Sequence, residues 1–212
     1  MQERVLSLDI STKTGWAFFL SSQEKYHLEA YGQLEQIPEP TTHSYPASYV
    51  EWANLCFNEI KKIIDLYNPN VLVIEETSAG SKSAFSQKIL EFIHFLLANF
   101  IKVSKIKTRY FLTEEWRRRT GCVMTKEEKK KNKEVRDFKK KSGTKVAYNK
   151  EGKRIGLTGR KHVNVRRANE LFGSFFEEPL RKKQEDLCDA LLLYYAYWVT
   201  NGKSRIESAL SE

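Results

Sequence analysis

The first third of the chain alternates short apolar segments with turn residues, a pattern typical of antiparallel strands. The apolar segments lie at residues 5–10, 16–20 and 26–34, and the turn at 11–15 is rich in small side chains. We therefore predict three consecutive strands, the first of which ends close to Asp9.

From residue 47 onward, helical and strand patterns alternate. Apolar residues recur at helical intervals over residues 47–67 and 84–101, and a continuously apolar segment at 71–74 lies between them. Such a short segment is expected of a strand that is buried on both faces. With a further strand at 107–112 and a closing helix at 184–200, the pattern predicts an α/β fold. We expect a mixed sheet, in which three antiparallel strands precede parallel strands, with helices on its flanks.

Two shorter helices and one basic segment complete the predicted elements. Thr113 with the two glutamates after it resembles a capping box and predicts the start of a short helix, and residues 163–172 are again helical. Between them, residues 125–161 are poor in apolar side chains, dense in Lys, and contain the glycines Gly143, Gly152, Gly156 and Gly159. We predict one domain over residues 1–212 with a basic insertion at about 122–160, which we expect to be mobile unless it is bound.

The predicted helix at residues 84–101 is apolar over most of its circumference. A helix of this kind is covered on more than one side, and its apolar residues, Phe92 and Phe95 among them, exceed what one sheet face can cover. We therefore expect a homodimer that forms through this helix.

Composition excludes several classes of protein. The 212 residues, 41% of them hydrophobic, suit one globular domain, and no segment approaches the roughly 18 apolar residues that a membrane span requires. The first residues carry charge where a signal peptide would be apolar, so we expect a cytoplasmic protein. Three widely spaced cysteines, Cys56, Cys122 and Cys188, indicate neither disulfides nor a cysteine-rich zinc site.

The net charge of +9 is concentrated in one part of the chain. Residues 116–167 contain 20 Lys or Arg and 5 Asp or Glu, whereas the remaining residues contain 16 and 22. A mildly acidic body with one very basic segment is expected of a protein that binds phosphates. A solvated Lys-rich loop without a partner would give the same composition, and charge alone does not separate the two interpretations.

Four carboxylates lie where predicted elements would present them. Asp9 and Glu75 each end an apolar strand, and Asp186 and Asp189 are three residues apart on the last helix, which places them on one face. The carboxyl ends of strands are where the active sites of α/β sheets gather. Glu76 competes with Glu75, but successive strand residues point to opposite faces, and Glu75 matches the register of Asp9.

Four carboxylates in one place repel each other unless a cation neutralises them. Oxygen ligands without Cys or His partners favour Mg²⁺, for which Mn²⁺ can substitute, over zinc. Two such ions at one site are suited to phosphodiester hydrolysis. The alternative is that each acid is an unrelated helix cap or surface residue.

With these residues in place, the sequence resembles the RuvC-like Holliday-junction resolvases. Residues 8–17 are similar to the family's first motif, an Asp at a strand end followed by a small-residue turn and Thr-Gly, and residues 73–75 are similar to its second acidic motif. Residues 83–90 resemble the helix that follows, and residues 116–121 resemble a short basic helix that ends in Thr-Gly. Residues 186–191, D-L-C-D-A-L, are similar to the D-x-x-D-A-L motif of the last helix.

The resemblance implies an RNase H-like fold, a homodimer and two Mg²⁺ ions per active site. It also implies paired nicks across a four-way junction. Two features depart from bacterial members: the first turn has Ile10 and Ser11 where they commonly have Pro-Gly, and the basic insertion is longer. Both resemble a phage or other viral branch, for which we expect a wider range of branched DNA substrates and a location in the host cytoplasm.

DNA binding is expected of the basic segment and of the helix ends that flank it. The residues that we expect to contact phosphates are Arg117, Arg118, Arg119, Lys129, Lys130, Lys131, Lys161, His162, Arg166 and Arg167. For His162, an exposed structural role is an open alternative.

Three other functions remain open at this point. The same four acids would serve a less selective nuclease that cuts flaps, forks or RNA–DNA hybrids. A phosphotransferase of the actin and sugar-kinase type also places D-x-S-x-x-T-G on a hairpin, although the chain is short for the two domains of those enzymes. A non-catalytic DNA-binding protein would not need four acids.

Overall fold

The structure is a computed structural model, which describes residues 2–22, 24–40, 44–77, 84–143, 147–148 and 154–209. The side chains of residues 84–86, 147–148, 154–155 and 202–209 are outside this description. Residue 83 lies outside the described residues, as does Gly152.

A five-stranded sheet forms the centre of the domain, with the strand order β3-β2-β1-β4-β5. Its strands are β1 (Glu3–Asp9), β2 (Gly15–Ser21), β3 (Tyr26–Gln33), β4 (Val71–Glu75) and β5 (Lys107–Phe111). The first three strands pair antiparallel, whereas β4 pairs parallel with both β1 and β5. The predicted mixed sheet, with antiparallel strands preceding parallel ones, is confirmed.

Helices cover both faces of this sheet. The long helices are α1 (Ala47–Tyr67), α2 (Ala84–Ser104), α4 (Lys126–Ser142), α5 (Arg160–Phe172) and α6 (Glu185–Ala209), with the short α3 (Thr113–Thr120) following β5. One apolar core lies between the sheet and α1 with α2, and the second lies between the sheet and α3, α5 and α6. In the described part of the chain, no helix has both the length and the apolar character needed to cross a bilayer.

The alternation of side chains along β1 decides which residues face which core. Leu6 and Leu8 pack towards α1 and α2, whereas Val5 packs on the other face, with α6. Ser7 and Asp9 share the parity of Val5 and therefore point to the α6 side. Residues 71–74 of β4 are buried on both faces, as the sequence predicted.

The basic insertion contains a helix that the hydrophobic pattern of the sequence did not predict. Helix α4 begins with a capping box, in which the Thr125 hydroxyl accepts from the backbone N–H of Glu128 while the Glu128 carboxylate accepts from the backbone N–H of Thr125. It ends at Gly143, which has positive φ. Two short paired strands, β6 (Ala147–Tyr148) and β7 (Arg154–Ile155), follow.

Polar contacts fix α4 to the start of α5. The buried amide of Asn132 donates to the backbone carbonyl of Thr158 at 2.9 Å and accepts from its backbone N–H at 2.7 Å. Arg166 on α5 reaches the Glu128 carboxylate at 3.2 Å. The Asn132 and Arg166 contacts and one buried apolar residue, Val135, hold α4 against the protein. The helix therefore lacks the repeated apolar positions by which helices are recognised in a sequence.

The predicted capping box at Thr113 is wrong. Helix α3 does begin at Thr113, but the preceding residue, Leu112, is its N-cap, and no side chain caps it. The Thr113 hydroxyl donates instead to the carboxylate of Glu75.

Candidate active site

Asp9 and Glu75 lie side by side at the ends of two neighbouring strands. Strands β1 and β4 pair parallel in the register Ser7 with Val73 and Leu8 with Ile74, which brings the two acids together at the carboxyl edge of the sheet. Their carboxyl groups are close enough that the charge of Glu75 raises the pKa of Asp9. Glu76 follows β4 and is exposed. The structure therefore places Glu75 rather than Glu76 beside Asp9.

The N-terminal turn of α6 crosses this edge and adds two further carboxylates, Asp186 and Asp189. Its approach depends on Gly15, the glycine of the Thr-Gly motif, because a Cβ at this position would overlap the backbone of Asp186 and Leu187. Any side chain at Gly15 would push α6 away from the sheet. The Thr-Gly motif in the sequence thus reflects a close contact between β2 and α6.

The four carboxylates interact with one another. Burial raises the pKa of Asp9 well above its usual range, and the charges of Asp189, Glu75 and Asp186 raise it further. Asp9 retains some contact with solvent at the strand end, although protein atoms surround its carboxyl group closely enough for burial to be the first cause. Burial is also the main reason why the pKa of Asp189 is raised to about 7, and the Glu75 charge adds to it.

Three of the four acids are oriented by uncharged donors that the sequence did not single out. Glu75 accepts from the Thr113 hydroxyl. Asp189 accepts from Asn164 Nδ2 of α5 at 2.7 Å, and Asp186 accepts from Gln33 Nε2 of β3 at 3.2 Å. Only the preference of hydroxyl and amide groups for carboxylate partners could have suggested them, because their elements are distant in sequence.

Cations lie at the rim of the acidic cluster. Lys161 forms an ion pair with Glu185 and lowers the pKa of Asp9 and of Asp186. Arg117 lowers the pKa of Glu75 and of Asp189. Each cation acts against burial, which raises the pKa of all four acids.

Buried polar atoms around the cluster lack partners among the described residues. They are Trp116 Nε1, Arg117 Nε and Glu185 Oε2. The indole N–H of Trp116 faces Glu75 closely enough to lower its pKa, but it does not form a hydrogen bond of ordinary geometry. Because a buried polar group without a partner is costly, these atoms are suited to a site that binds a further polar group.

The donor set suits a hard divalent cation. Four carboxylates, each with a raised pKa, gain most from a cation that neutralises their repulsion. Among the described residues, no three His, Cys, Asp or Glu side chains already converge as closely as a bound ion would hold them.

The residues expected to bind DNA differ in whether they form ion pairs within the protein. Exposed side chains without an ion pair among the described residues are Arg118, Lys129, Lys130, Lys131 and His162. Arg119 pairs with Glu115 at 2.9 Å. Arg166 and Arg167 both pair with Glu170, and Arg167 also donates to the carbonyl of Thr120. Arg166 and Arg167 therefore help to hold α3, α4 and α5 together, since Arg166 also pairs with Glu128 of α4, whereas Arg119 pairs within α3.

A cavity of about 340 Å³ opens beside the acids, between α3 and the start of α5. Arg117, Arg118 and Arg160 line it together with Asn164, which also contacts Asp189. The cationic lining therefore continues from the rim of the acidic cluster into this cavity.

Solved structures with the same architecture include two resolvases. Thermus thermophilus RuvC in complex with a Holliday junction substrate aligns over 96% of this chain and 96% of its own, with 9% identity and a TM-score of 0.59. The yeast mitochondrial Holliday junction resolvase aligns over 95% of this chain and 81% of its own, with 14% identity and a TM-score of 0.54. The chain has a RuvC-like resolvase fold.

These comparisons identify the fold only, because structural similarity at 9–14% identity does not extend to function. No protein-family model matches the sequence, and no curated protein matches it significantly. The comparisons do not favour the phosphotransferase alternative.

Proposed function

We propose that the chain is a divalent-metal-dependent nuclease that resolves four-way and related branched DNA by paired phosphodiester hydrolysis. The observation that carries this proposal is the gathering of Asp9, Glu75, Asp186 and Asp189 at one edge of a RuvC-like sheet, next to a cationic surface. Both solved structures described above are resolvases, and one was determined with a Holliday junction.

In this proposal the four carboxylates hold two Mg²⁺ ions, and Mn²⁺ can replace Mg²⁺. When bound, such ions lower the pKa of water and stabilise the charge that develops on the leaving oxygen. The donors Thr113, Asn164 and Gln33 fix the directions of three carboxylates, and such outer partners matter for metal affinity. Arg117, at the rim of the site, is placed to contact a phosphate.

The cationic surface of α3, α4 and the start of α5 would hold the arms of the DNA through their phosphates. Contacts of this kind fix the position of the DNA without reading its sequence. Two copies that associate through α2 would supply two sites, one for each of the opposed strands at a junction. The homodimer is part of this proposal.

One assay tests the function directly. A labelled four-way junction, a flap and a linear duplex are incubated with the protein, with and without Mg²⁺. We expect paired nicks in the junction with Mg²⁺ or Mn²⁺ and none with chelator. Equal cleavage of the flap would favour the less selective nuclease, and cleavage unaffected by chelator would contradict the proposal.

The Asp9→Asn variant serves as the control for binding. Removing this charge reduces the repulsion in the cluster but also removes a metal ligand, so the variant should bind the junction and cut it at least about a thousandfold more slowly. Full cleavage by this variant would remove Asp9 from the site.

A further inference from the structure

The basic residues of α4 are not spread evenly around the helix. Its buried side is defined by Asn132 and Val135. Five basic residues spaced alternately three and four apart fall on one flank of that side, because such spacing keeps residues on one face. We call these five the cationic row: Lys126, Lys129, Lys133, Arg136 and Lys140.

The other positions of α4 differ in charge. Glu127 and Glu134 lie on the opposite flank, together with Lys131. Asp137, Lys130 and Lys141 lie on the outer face, between the two flanks, and Lys139 lies towards the buried side. The cationic row itself contains no acidic residue and spans about 21 Å, at 1.5 Å per residue.

The side chains of the cationic row have no ion pair, hydrogen bond or ring contact with any other residue in the described parts of the chain. All five are exposed. Three arginines of α3 and α5 behave differently: Arg119, Arg166 and Arg167 each pair with a glutamate. The positive charges of the row are therefore unpaired among the described residues, whereas those three arginines form ion pairs within the protein.

Such a row weakens the helix that carries it. Like charges three or four residues apart destabilise a helix by about 0.2–0.5 kcal/mol per pair. A capping box and the Asn132 contacts hold α4 in place nonetheless. A rigid line of unpaired cations is complementary to the regular phosphates of a nucleic acid backbone, which a mobile Lys-rich loop would match less well.

We infer that the cationic row of α4 docks against the backbone of one duplex arm of a branched DNA. The inference rests on the proposed function for its substrate, and it assigns the arm contact to one flank of one helix. Lys129 belongs to this contact. Lys130 and Lys131, which are adjacent to it in sequence and were also expected to contact phosphates, lie off the row and contribute less.

Two triple variants test the inference because they remove equal charge from the same helix. The row variant is Lys129→Ala, Lys133→Ala and Arg136→Ala, and the off-row variant is Lys130→Ala, Lys131→Ala and Lys141→Ala. Alanine favours helix, so α4 should persist in both, as checked by circular dichroism. A Gln version of the row variant keeps the test valid if the Ala version folds poorly.

Equilibrium binding is measured in chelator, so that no cleavage occurs, with a linear duplex, a four-way junction and single-stranded RNA of equal length. Each phosphate contact contributes about 0.9 to the slope of log affinity against log salt. We expect the slope on duplex and junction to fall by about 2.7 for the row variant and by less than about 1 for the off-row variant. At physiological salt, affinity should fall at least about tenfold for the row variant only.

Equal losses in the two variants would overturn the inference, because they would mean that charge acts without regard to its position. A loss confined to RNA would overturn it in favour of an RNA contact. If the parent protein bound none of the three nucleic acids, the proposed function itself would fail. Binding by the parent with cleavage absent in Mg²⁺ would contradict the nuclease but leave the row to be judged by the two variants.

Discussion

The carboxyl group of Asp189 is subject to opposing influences. Burial and the charge of Glu75 raise its pKa, whereas the hydrogen bond from Asn164 and the charge of Arg117 lower it, and the result is a pKa of about 7. The folded value thus lies above that of an exposed aspartate. It follows that Asp189 stabilises the metal-free fold most at low pH, and that this contribution is lost as the pH rises through about 7.

Asp189→Asn should therefore stabilise the metal-free protein at pH 8. We expect its melting temperature in chelator to rise by about 2–6 °C at pH 8, and the difference from the parent to shrink as the pH falls to 5. The control is Glu178→Gln, an exposed carboxylate paired with Arg181, which should show no such trend. An Asn variant that melts below the parent at pH 8 would refute this reading of the site.

Asn164 offers a second test at the residue scale. It is 1% exposed and donates to Asp189 at 2.7 Å. Since outer partners of metal ligands affect affinity and activity by about 10–100-fold, Asn164→Ala should slow junction cleavage by that factor. It should also raise the Mg²⁺ concentration needed for half-maximal cleavage.

Asn169→Ala is the matched control, because Asn169 lies on the same helix and bonds the backbone of Leu180 rather than an acid. This variant should lose stability without changing the Mg²⁺ requirement. If both variants shifted that requirement alike, Asn164 would be only a structural residue.

The carboxylates of the site were predictable and their partners were not. Asp9 and Glu75 end apolar strands, and strand ends meet at one edge of a sheet, so sequence alone brings them together. Asn164 and Gln33 reach the acids from other elements, and nothing in their local sequence indicates it. Thr113 was assigned a capping role, but its hydroxyl bonds Glu75, a contact that depends on how β4 and β5 pair.

At the scale of elements, α4 is the clearest difference between sequence and structure. Its capping box, Thr125 with Glu128, is present in the sequence and could have been recognised there. The helix was missed because it is anchored by Asn132, Val135 and one ion pair rather than by an apolar stripe, and hydrophobic periodicity does not detect such anchoring.

Asn132→Ala tests this anchoring. Loss of both contacts leaves the partly buried backbone N–H and C=O of Thr158 without partners, which costs at most about 1–3 kcal/mol. We expect faster hydrogen exchange in α4 and at Thr158, with the exchange of the central sheet unchanged. Glu134→Ala, an exposed change on the same helix, should leave exchange unaltered, and unaltered exchange in Asn132→Ala would contradict the anchoring.

At the scale of the whole molecule, the proposed dimer depends on α2. One side of this helix packs in the core with α1, while Phe95 and Val103 are 64% and 82% exposed. The sequence predicted an excess of apolar residues on this helix. The structure locates that excess at Phe95, whereas Phe92 is partly buried against the core.

Phe95→Asp should therefore convert a dimer into a folded monomer. The measurement is mass by light scattering at concentrations well above micromolar, with circular dichroism to confirm folding. Leu66→Asp, a similar change at a 72% exposed residue of α1, should remain dimeric. A parent protein with the mass of one chain would rule out a dimer through α2.

The central claim is that Glu75 and its three partner carboxylates carry out metal-dependent cleavage of branched DNA. The most direct measurement compares Glu75→Gln with Glu76→Gln, because these adjacent residues differ in location and not in chemistry: Glu75 lies in the cluster, and Glu76 is exposed. Single-turnover cleavage of a four-way junction in Mg²⁺ should fall at least about a thousandfold for Glu75→Gln. It should stay within about threefold of the parent for Glu76→Gln, since surface changes have small effects. Equal activity of the two variants would contradict the claim.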